Sequence, residues 1–161
     1  MFKVQRAFLM VVGLVVMGAV PFGRVHAATT VLGPTVCLRA NTNGLGGVEY
    51  TSAGVSNISG APVDVVCALF RDNTTNTNGM QDLEVAVTDP SAAPGGVICD
   101  AITQDRKGSA TKVVRRTSTA VGNIVLDWGG SVNVSVSKGH YAVRCTIPNG
   151  ATLRSIFYLE P

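Results

Sequence analysis

Residues 62–70 read Pro-Val-Asp-Val-Val-Cys-Ala-Leu-Phe, and residues 140–147 read His-Tyr-Ala-Val-Arg-Cys-Thr-Ile. In the first run Val63, Val65, Cys67 and Leu69 fall on one face of an extended chain, and in the second Tyr141, Val143, Cys145 and Ile147 do. Side chains of a strand point alternately to opposite faces, so strict alternation of apolar and polar residues marks a half-buried β-strand. Both runs carry a cysteine on the apolar face, where a disulfide stitching a core has to lie. Three further runs alternate in the same way: Leu83, Val85 and Val87; Ile124, Leu126 and Trp128; and Val132, Val134 and Val136. No stretch after residue 27 shows apolar residues at helical spacing.

Turn signals separate these runs. Asn43-Gly44-Leu45-Gly46-Gly47, Asn57-Ile58-Ser59-Gly60, Asn78-Gly79, Pro94-Gly95-Gly96, Lys107-Gly108, Gly129-Gly130, Lys138-Gly139 and Asn149-Gly150 each supply a residue that tolerates positive φ. Asp127-Trp128-Gly129-Gly130-Ser131 reads as a hairpin turn, and Ser137-Lys138-Gly139-His140 as the next. The abundance of Val, Thr, Ser, Asn and Gly favours strands and turns. The expectation is an all-β fold: a single β-sandwich, jelly-roll or immunoglobulin-like, of about nine strands.

The first 27 residues read differently. Lys3 and Arg6 precede an uncharged stretch from Ala7 to Val20, after which Pro21 and Gly23 break the helix and Val25-His26-Ala27 places small residues at −3 and −1 of a cleavage site. The apolar stretch falls short of the ~20 residues that span a bilayer, so residues 1–27 are expected to be a secretory signal peptide, with an uncleaved anchor as the alternative. Residues 28–161 would then be one exported domain, periplasmic or extracellular, with no membrane span. The net charge of +3 includes Lys3, Arg6 and Arg24; without them ten Lys and Arg balance ten Asp and Glu. The basicity therefore belongs to targeting, and nucleic acid is not an expected partner.

All four cysteines, Cys37, Cys67, Cys99 and Cys145, lie beyond the leader. An even count in an exported chain implies two disulfides. Spacing alone does not choose among the three pairings; Cys37–Cys67 with Cys99–Cys145 is the one we expect. Zinc is disfavoured, since no two cysteines stand as close as a C-x2-C pair.

The run Val65-Val66-Cys67-Ala68-Leu69-Phe70-Arg71-Asp72-Asn73 is followed by a strand ending in Asp89 and by a lone Cys99. Tyr141-x3-Cys145-Thr146-Ile147-Pro148 comes later, and Ile156, Tyr158 and Glu160 close the chain. This pattern resembles a group of small secreted bacterial four-cysteine proteins of unknown function, which carry C-P-L-x-R-D at the first site and C-x-I/L-P near the end. Ala68 stands where that group usually has proline. The resemblance covers most of residues 28–161 and implies secretion, a β-sandwich and two disulfides; it implies no catalytic residues.

Little else suggests chemistry, and no catalytic, metal or cofactor-binding residue is expected. His140 is the one histidine beyond the leader; Ser137 lies across a turn from it, and no Gly-x-Ser-x-Gly elbow exists. Among Asp64, Asp72, Asp82, Glu84, Asp89, Asp100, Asp105 and Asp127 nothing singles out the carboxylate pair a glycosidase needs, so a hydrolase ranks last. The polar segment Asp72–Asp82 is rich in oxygen ligands for calcium. An EF-type register would place Thr74 and Val85 where Asp and Glu belong, so an exposed loop is the better reading.

The candidate ligand-contact residues are Arg106, Lys107, Lys112 and Arg116, and Tyr158 as a ring for stacking on sugar. If residues 111–116 form a strand, Lys112, Val114 and Arg116 share a face while Arg115 points away, which splits the basic cluster. Its plain reading is an edge strand protected by charge. Asn57, Asn73 and Asn133 each begin an N-glycosylation triplet. The leading expectation is a secreted, non-enzymatic module that binds an envelope polysaccharide or another secreted protein. The rival is a fimbrial or coat-like subunit that assembles by strand addition, with Ala28-Thr29-Thr30-Val31-Leu32 through Val36 as a free donor strand.

Overall fold

The computed structural model of the chain describes residues 28–33, 36–40, 47–71, 79–91, 95–132 and 139–160, so the expected leader lies outside the described residues. Four of the five alternating runs are strands; in the fifth, Val132 closes a 3-10 turn, and Val134 and Val136 lie outside the described residues. In chain order the strands are β1 (Ala28–Leu32), β2 (Cys37–Arg39), β3 (Val48–Thr51), β4 (Gly54–Asn57), β5 (Val63–Leu69), β6 (Asp82–Asp89), β7 (Ile98–Gln104), β8 (Ala110–Thr117), β9 (Gly122–Asp127), β10 (His140–Ile147) and β11 (Thr152–Glu160). A 3-10 turn covers Gly129–Val132. Among the described residues eleven strands replace the expected nine or so; β2, β3 and β4 have only three or four residues, too few to show a period.

The strands form two antiparallel sheets packed as a sandwich. One has the order β2-β5-β10-β7-β8. The other has the order β3-β4-β11-β6-β9, with β1 also on β11. One edge of β11 carries β6; the opposite edge is shared, with Thr152 and Leu153 paired to β4 and Ile156–Glu160 to β1. Between the sheets lie Val63, Val65, Leu69, Leu83, Val85, Val87, Leu126, Trp128, Tyr141, Val143, Ile147, Leu153, Ile156 and Tyr158, all buried. The inward faces are the ones the alternation predicts.

The disulfides are Cys37–Cys67 and Cys99–Cys145, the expected pairing. Each joins residues directly opposite one another on neighbouring strands: Cys37 on β2 faces Cys67 on β5, and Cys99 on β7 faces Cys145 on β10. The Cα atoms are 3.9 and 4.1 Å apart, close enough for a cross-strand bridge. Both bridges therefore stitch strands within the five-stranded sheet and leave the two layers to be joined by packing and hydrogen bonds.

The expected hairpins around Gly129-Gly130 and Ser137–His140 share a strand over Val132–Val136 that falls largely outside the described residues. Gly129–Val132 is the 3-10 turn that carries the chain out of β9, and β10 belongs to the opposite sheet, where β5 and β7 occupy both its edges. Val134, Val136, Ser137 and Lys138 lie outside the described residues. The N-terminal segment is likewise not a free donor strand, because β1 is hydrogen-bonded to β11 of its own chain.

Side-chain hydrogen bonds tie the layers together at their margins. Asn57, buried on β4, donates from Nδ2 to the Ile147 and Ala61 carbonyls at 2.7 Å each, and its Oδ1 accepts from the Ser59 amide and hydroxyl. All of its polar capacity is used internally, so Asn57 is not available as a glycosylation acceptor; Asn73 and Asn133 lie outside the described residues. On the far margin Trp128 donates from Nε1 to the Val114 carbonyl at 2.7 Å, and Arg116 donates from Nε to the Asp127 carbonyl at 2.8 Å. These bonds cover part of the free edge of β8.

Replacing Cys99 and Cys145 by alanine, or Cys37 and Cys67, is expected to cost about 3–4 kcal/mol for each bridge by the loop-entropy argument. The two losses should add, because the loops closed (separations of 46 and 30 residues) do not overlap. Urea unfolding of both double variants and of the quadruple variant measures this.

Candidate functional site

The structure scatters the residues that the sequence nominated. Arg106 and Lys107 are exposed in the turn between β7 and β8. Lys112 and Arg116 face the β9 side of β8, as the alternation requires, and Arg116 is engaged with the Asp127 carbonyl. Tyr158 corrects the expectation: it is only 1% exposed, and its hydroxyl donates to the Phe70 carbonyl at 2.8 Å, so it offers no ring to a sugar. His140 is exposed at the start of β10. Of the polar segment Asp72–Asp82, residues 72–78 lie outside the described residues, and Asp82 belongs to β6.

The residues that carry the family resemblance are mostly structural. Arg71 and Glu160 form a buried ion pair at 3.4 Å between the ends of β5 and β11, one in each sheet. The Arg71 guanidinium lies 5.2 Å from the centre of the Tyr141 ring, and the Tyr141 hydroxyl accepts the Met80 amide at 3.0 Å. Burial pushes the Tyr141 hydroxyl pKa up. At the end of β6, Asp89 is buried. Burial alone would raise its pKa, but hydrogen bonds from the Ser118 hydroxyl and the Ser91 and Val97 amides outweigh that and hold it below the usual carboxylate range. Gly96 leaves room for this arrangement; a Cβ there would stand 2.3 Å from Ser118 Oγ and 2.6 Å from Asp89 Oδ2.

Two surface constellations remain, one on each sheet. On the outer face of the six-stranded sheet, Glu84 on β6 stands opposite Asp127 on β9, and Asp82 follows two residues away on the same face. Among the described residues these three form the one acidic group whose ligand atoms all lie within 4.8 Å of one another. They are the residues that could hold a hard cation, and they lie on an open sheet surface where no cleft excludes water.

The outer face of the five-stranded sheet is the more organised surface. Its outward residues come from the same alternating runs whose inward residues make the core. Asp64, Arg144, Asp100 and Arg115 stand on the consecutive strands β5, β10, β7 and β8, so charge alternates from strand to strand. Arg115 donates to both oxygens of Asp100 at 2.8 and 2.9 Å. Arg144 donates to Asp64 at 2.5 Å, and Thr146 donates to the other oxygen at 2.6 Å. Hydrogen bonding from Thr146, then from Arg144, lowers the pKa of Asp64; hydrogen bonding from Arg115 lowers that of Asp100. Beside the charged strip runs an apolar row across the same strands: Ala68, Ala142, Ile102 and Val113. Val113 is 53% exposed, and Leu38, on the neighbouring edge strand, is 69% exposed. The sequence reading missed this surface because each of these four strands contributes only one charge to it.

No pocket opens among the described residues. No family model matches the chain, and no curated protein does. Among solved structures eight chains show a weak similarity, two of them as follows. An exo-β-1,3-galactanase from Phanerochaete chrysosporium, solved with galactose, is 13% identical with a TM-score of 0.44 over 82% of this chain and 29% of its own. Xylanase10C from Cellvibrio japonicus, in complex with xylopentaose, is 14% identical with a TM-score of 0.40 over 76% of this chain and 26% of its own. This chain spans less than a third of either enzyme, and likeness at this depth bears on neither activity nor ligand.

Two measurements follow from this chemistry. Asp64, Asp89 and Asp100 have lowered pKa values when folded, so the unfolded chain takes up protons first as pH falls. Their stabilisation is complete above the ordinary aspartate value of about 3.9 and is lost as pH falls through that value to the folded ones. Asp89→Asn, which removes the shared acceptor of Ser118 and Val97, is expected to cost about 2 kcal/mol at neutral pH and to flatten the acid limb, read by urea unfolding across pH. Relieving the like-charge contact with Glu84→Gln should stabilise the fold by about 0.5 kcal/mol at low salt, with the gain shrinking as salt is added.

Proposed function

We propose that this chain is an exported, non-enzymatic β-sandwich that acts by surface contact, using the outer face of its five-stranded sheet, and that its partner is a protein. The observation that carries the reading is the ordered strip of charges beside exposed Val113 and Leu38 on one sheet face. Export rests on the leader-like residues 1–27 and on the oxidation of all four cysteines, a state that persists in oxidising compartments.

The charge and shape of the face favour a protein over an envelope polysaccharide. Glycan sites stack rings on sugars, and here Trp128, Tyr141 and Tyr158 all point into the core. The exposed rings Tyr50 and Phe70 belong to β3 and to the end of β5, in different sheets. Alternating charges suit the matched charges of a protein surface and set register and specificity. A carboxylate hydrolase would have to use Asp82, Glu84 and Asp127, which lack a cleft to hold a chain against them. Strand addition would have to displace β1 from β11 or use another edge.

A photo-crosslinking residue in place of Val113, compared with one in place of Val125 on the outer face of the opposite sheet, tests the reading in intact cells. Adducts of protein mass from position 113 and none from 125 are expected. Equal labelling at both positions, or saturable glycan binding that survives Val113→Asp, would overturn it. The cleaved leader is checked by the mass of the exported product.

A further inference from the structure

We infer that the occupant of this face is a second copy of the same chain, packed sheet against sheet about a two-fold axis that runs along the strands between β10 and β7. The inference rests on reading the face as a contact surface and names what covers it. The sign pattern carries the argument. Across β5, β10, β7 and β8 the outward charges run Asp64, Arg144, Asp100, Arg115. A two-fold axis in the plane of contact reverses left and right, so the strip meets its own mirror order. Arg144 of one copy then faces Asp100 of the other, and Asp64, one pair further along β5, comes within reach of Arg115. A pattern that alternates over an even number of positions is complementary to itself under this operation, as a two-fold interface requires.

The apolar row obeys the same rule in size. Ala68 and Ala142 are small, while Ile102 and Val113 are large, and they occupy β5, β10, β7 and β8 in that order. Reversal sets Val113 against Ala68 and Ile102 against Ala142, large against small at each position, which is how two sheet faces interdigitate at a spacing of about 10 Å. The guanidinium side chains of Arg115 and Arg144 are 66% and 52% exposed in the single chain, so they are free to share their carboxylates across the contact. Four strands about 4.8 Å apart and some six residues long give a face of roughly 400 Å², small beside the ~800 Å² per partner of a standard interface. The dimer is therefore weak and depends on concentration.

Sedimentation velocity of the oxidised protein over a concentration series, at low and at raised salt, reads the association. A monomer–dimer equilibrium that weakens with salt is expected. Exchanging one pair, Asp100→Arg with Arg115→Asp, keeps the net charge and the pair between positions 100 and 115, sets Arg144 opposite an arginine in its own sheet, and makes the strip symmetric. Arg144 then faces arginine and Asp64 faces aspartate, which should raise the dimer Kd at least about tenfold. Adding Asp64→Arg and Arg144→Asp restores the alternation, within the chain as well as across the contact, and should restore the dimer, while a cooperative thermal transition shows that each variant is folded. A chain that stays monomeric to its solubility limit, a dimer indifferent to the first exchange, or a failure of the fourfold exchange to restore association would each overturn the inference. Protein adducts from position 113 on a different protein, together with a monomeric chain, would leave the contact surface standing and remove only self-pairing.

Discussion

Two covalent bonds across the ladder of one sheet decide how the rest of the molecule is arranged. Cys37 is locked opposite Cys67 and Cys99 opposite Cys145, so β2 cannot slide on β5, nor β7 on β10. A slip of a single residue would send every inward side chain of a strand outward. With register held, Val65, Val143 and Ile147 stay in the core while Asp64, Arg144 and Asp100 stay outside. The charged strip on the outer face is the other side of the same constraint.

The bridges act within a layer, and the joining of the two layers falls to other groups. Apolar packing supplies most of it, since the inward faces of both sheets are lined almost wholly with valine, leucine, isoleucine and aromatic side chains. Polar groups fix the margins. Asn57 and the Ile147 carbonyl join β4 to β10, Trp128 and the Val114 carbonyl close the β8–β9 side, and Arg71 with Glu160 joins the ends of β5 and β11. Every buried polar group named here has a partner, as a low-dielectric interior demands. Arg71, Asp89, Tyr141, Tyr158 and Glu160 are thereby accounted for as structure, which turns attention for function away from the motif residues and toward the surface.

The proposed function by surface contact draws on the chemistry of that surface. Cysteines held in disulfides cannot act as nucleophiles or zinc ligands, and the acidic trio Asp82, Glu84 and Asp127 lies on an open sheet. The outer face of the five-stranded sheet instead combines exposed apolar area with charges already oriented by their neighbours in the same sheet. Charges held in place lose little freedom when a partner arrives, so an ordered strip discriminates well even where its area is modest.

Alternation with a period of two was enough to read β5, β6, β9 and β10 and to say which side of each is buried, because that pattern is local to one strand. An even count of cysteines pointed to two disulfides for a similar reason. The free donor strand was not legible because the edge a strand pairs with depends on strands remote in sequence: β1 found β11, just as β10 found β5 and β7. Tyr158 was misplaced because two adjacent aromatic residues say that one points inward but not which. The charged strip was illegible for a deeper reason. Asp64, Asp100, Arg115 and Arg144 are spread over eighty residues and become neighbours only through the strand order β5-β10-β7-β8. The sequence alone determined which side of each strand avoids water; only the tertiary structure, by setting which strands lie side by side, decided what pattern the other side presents.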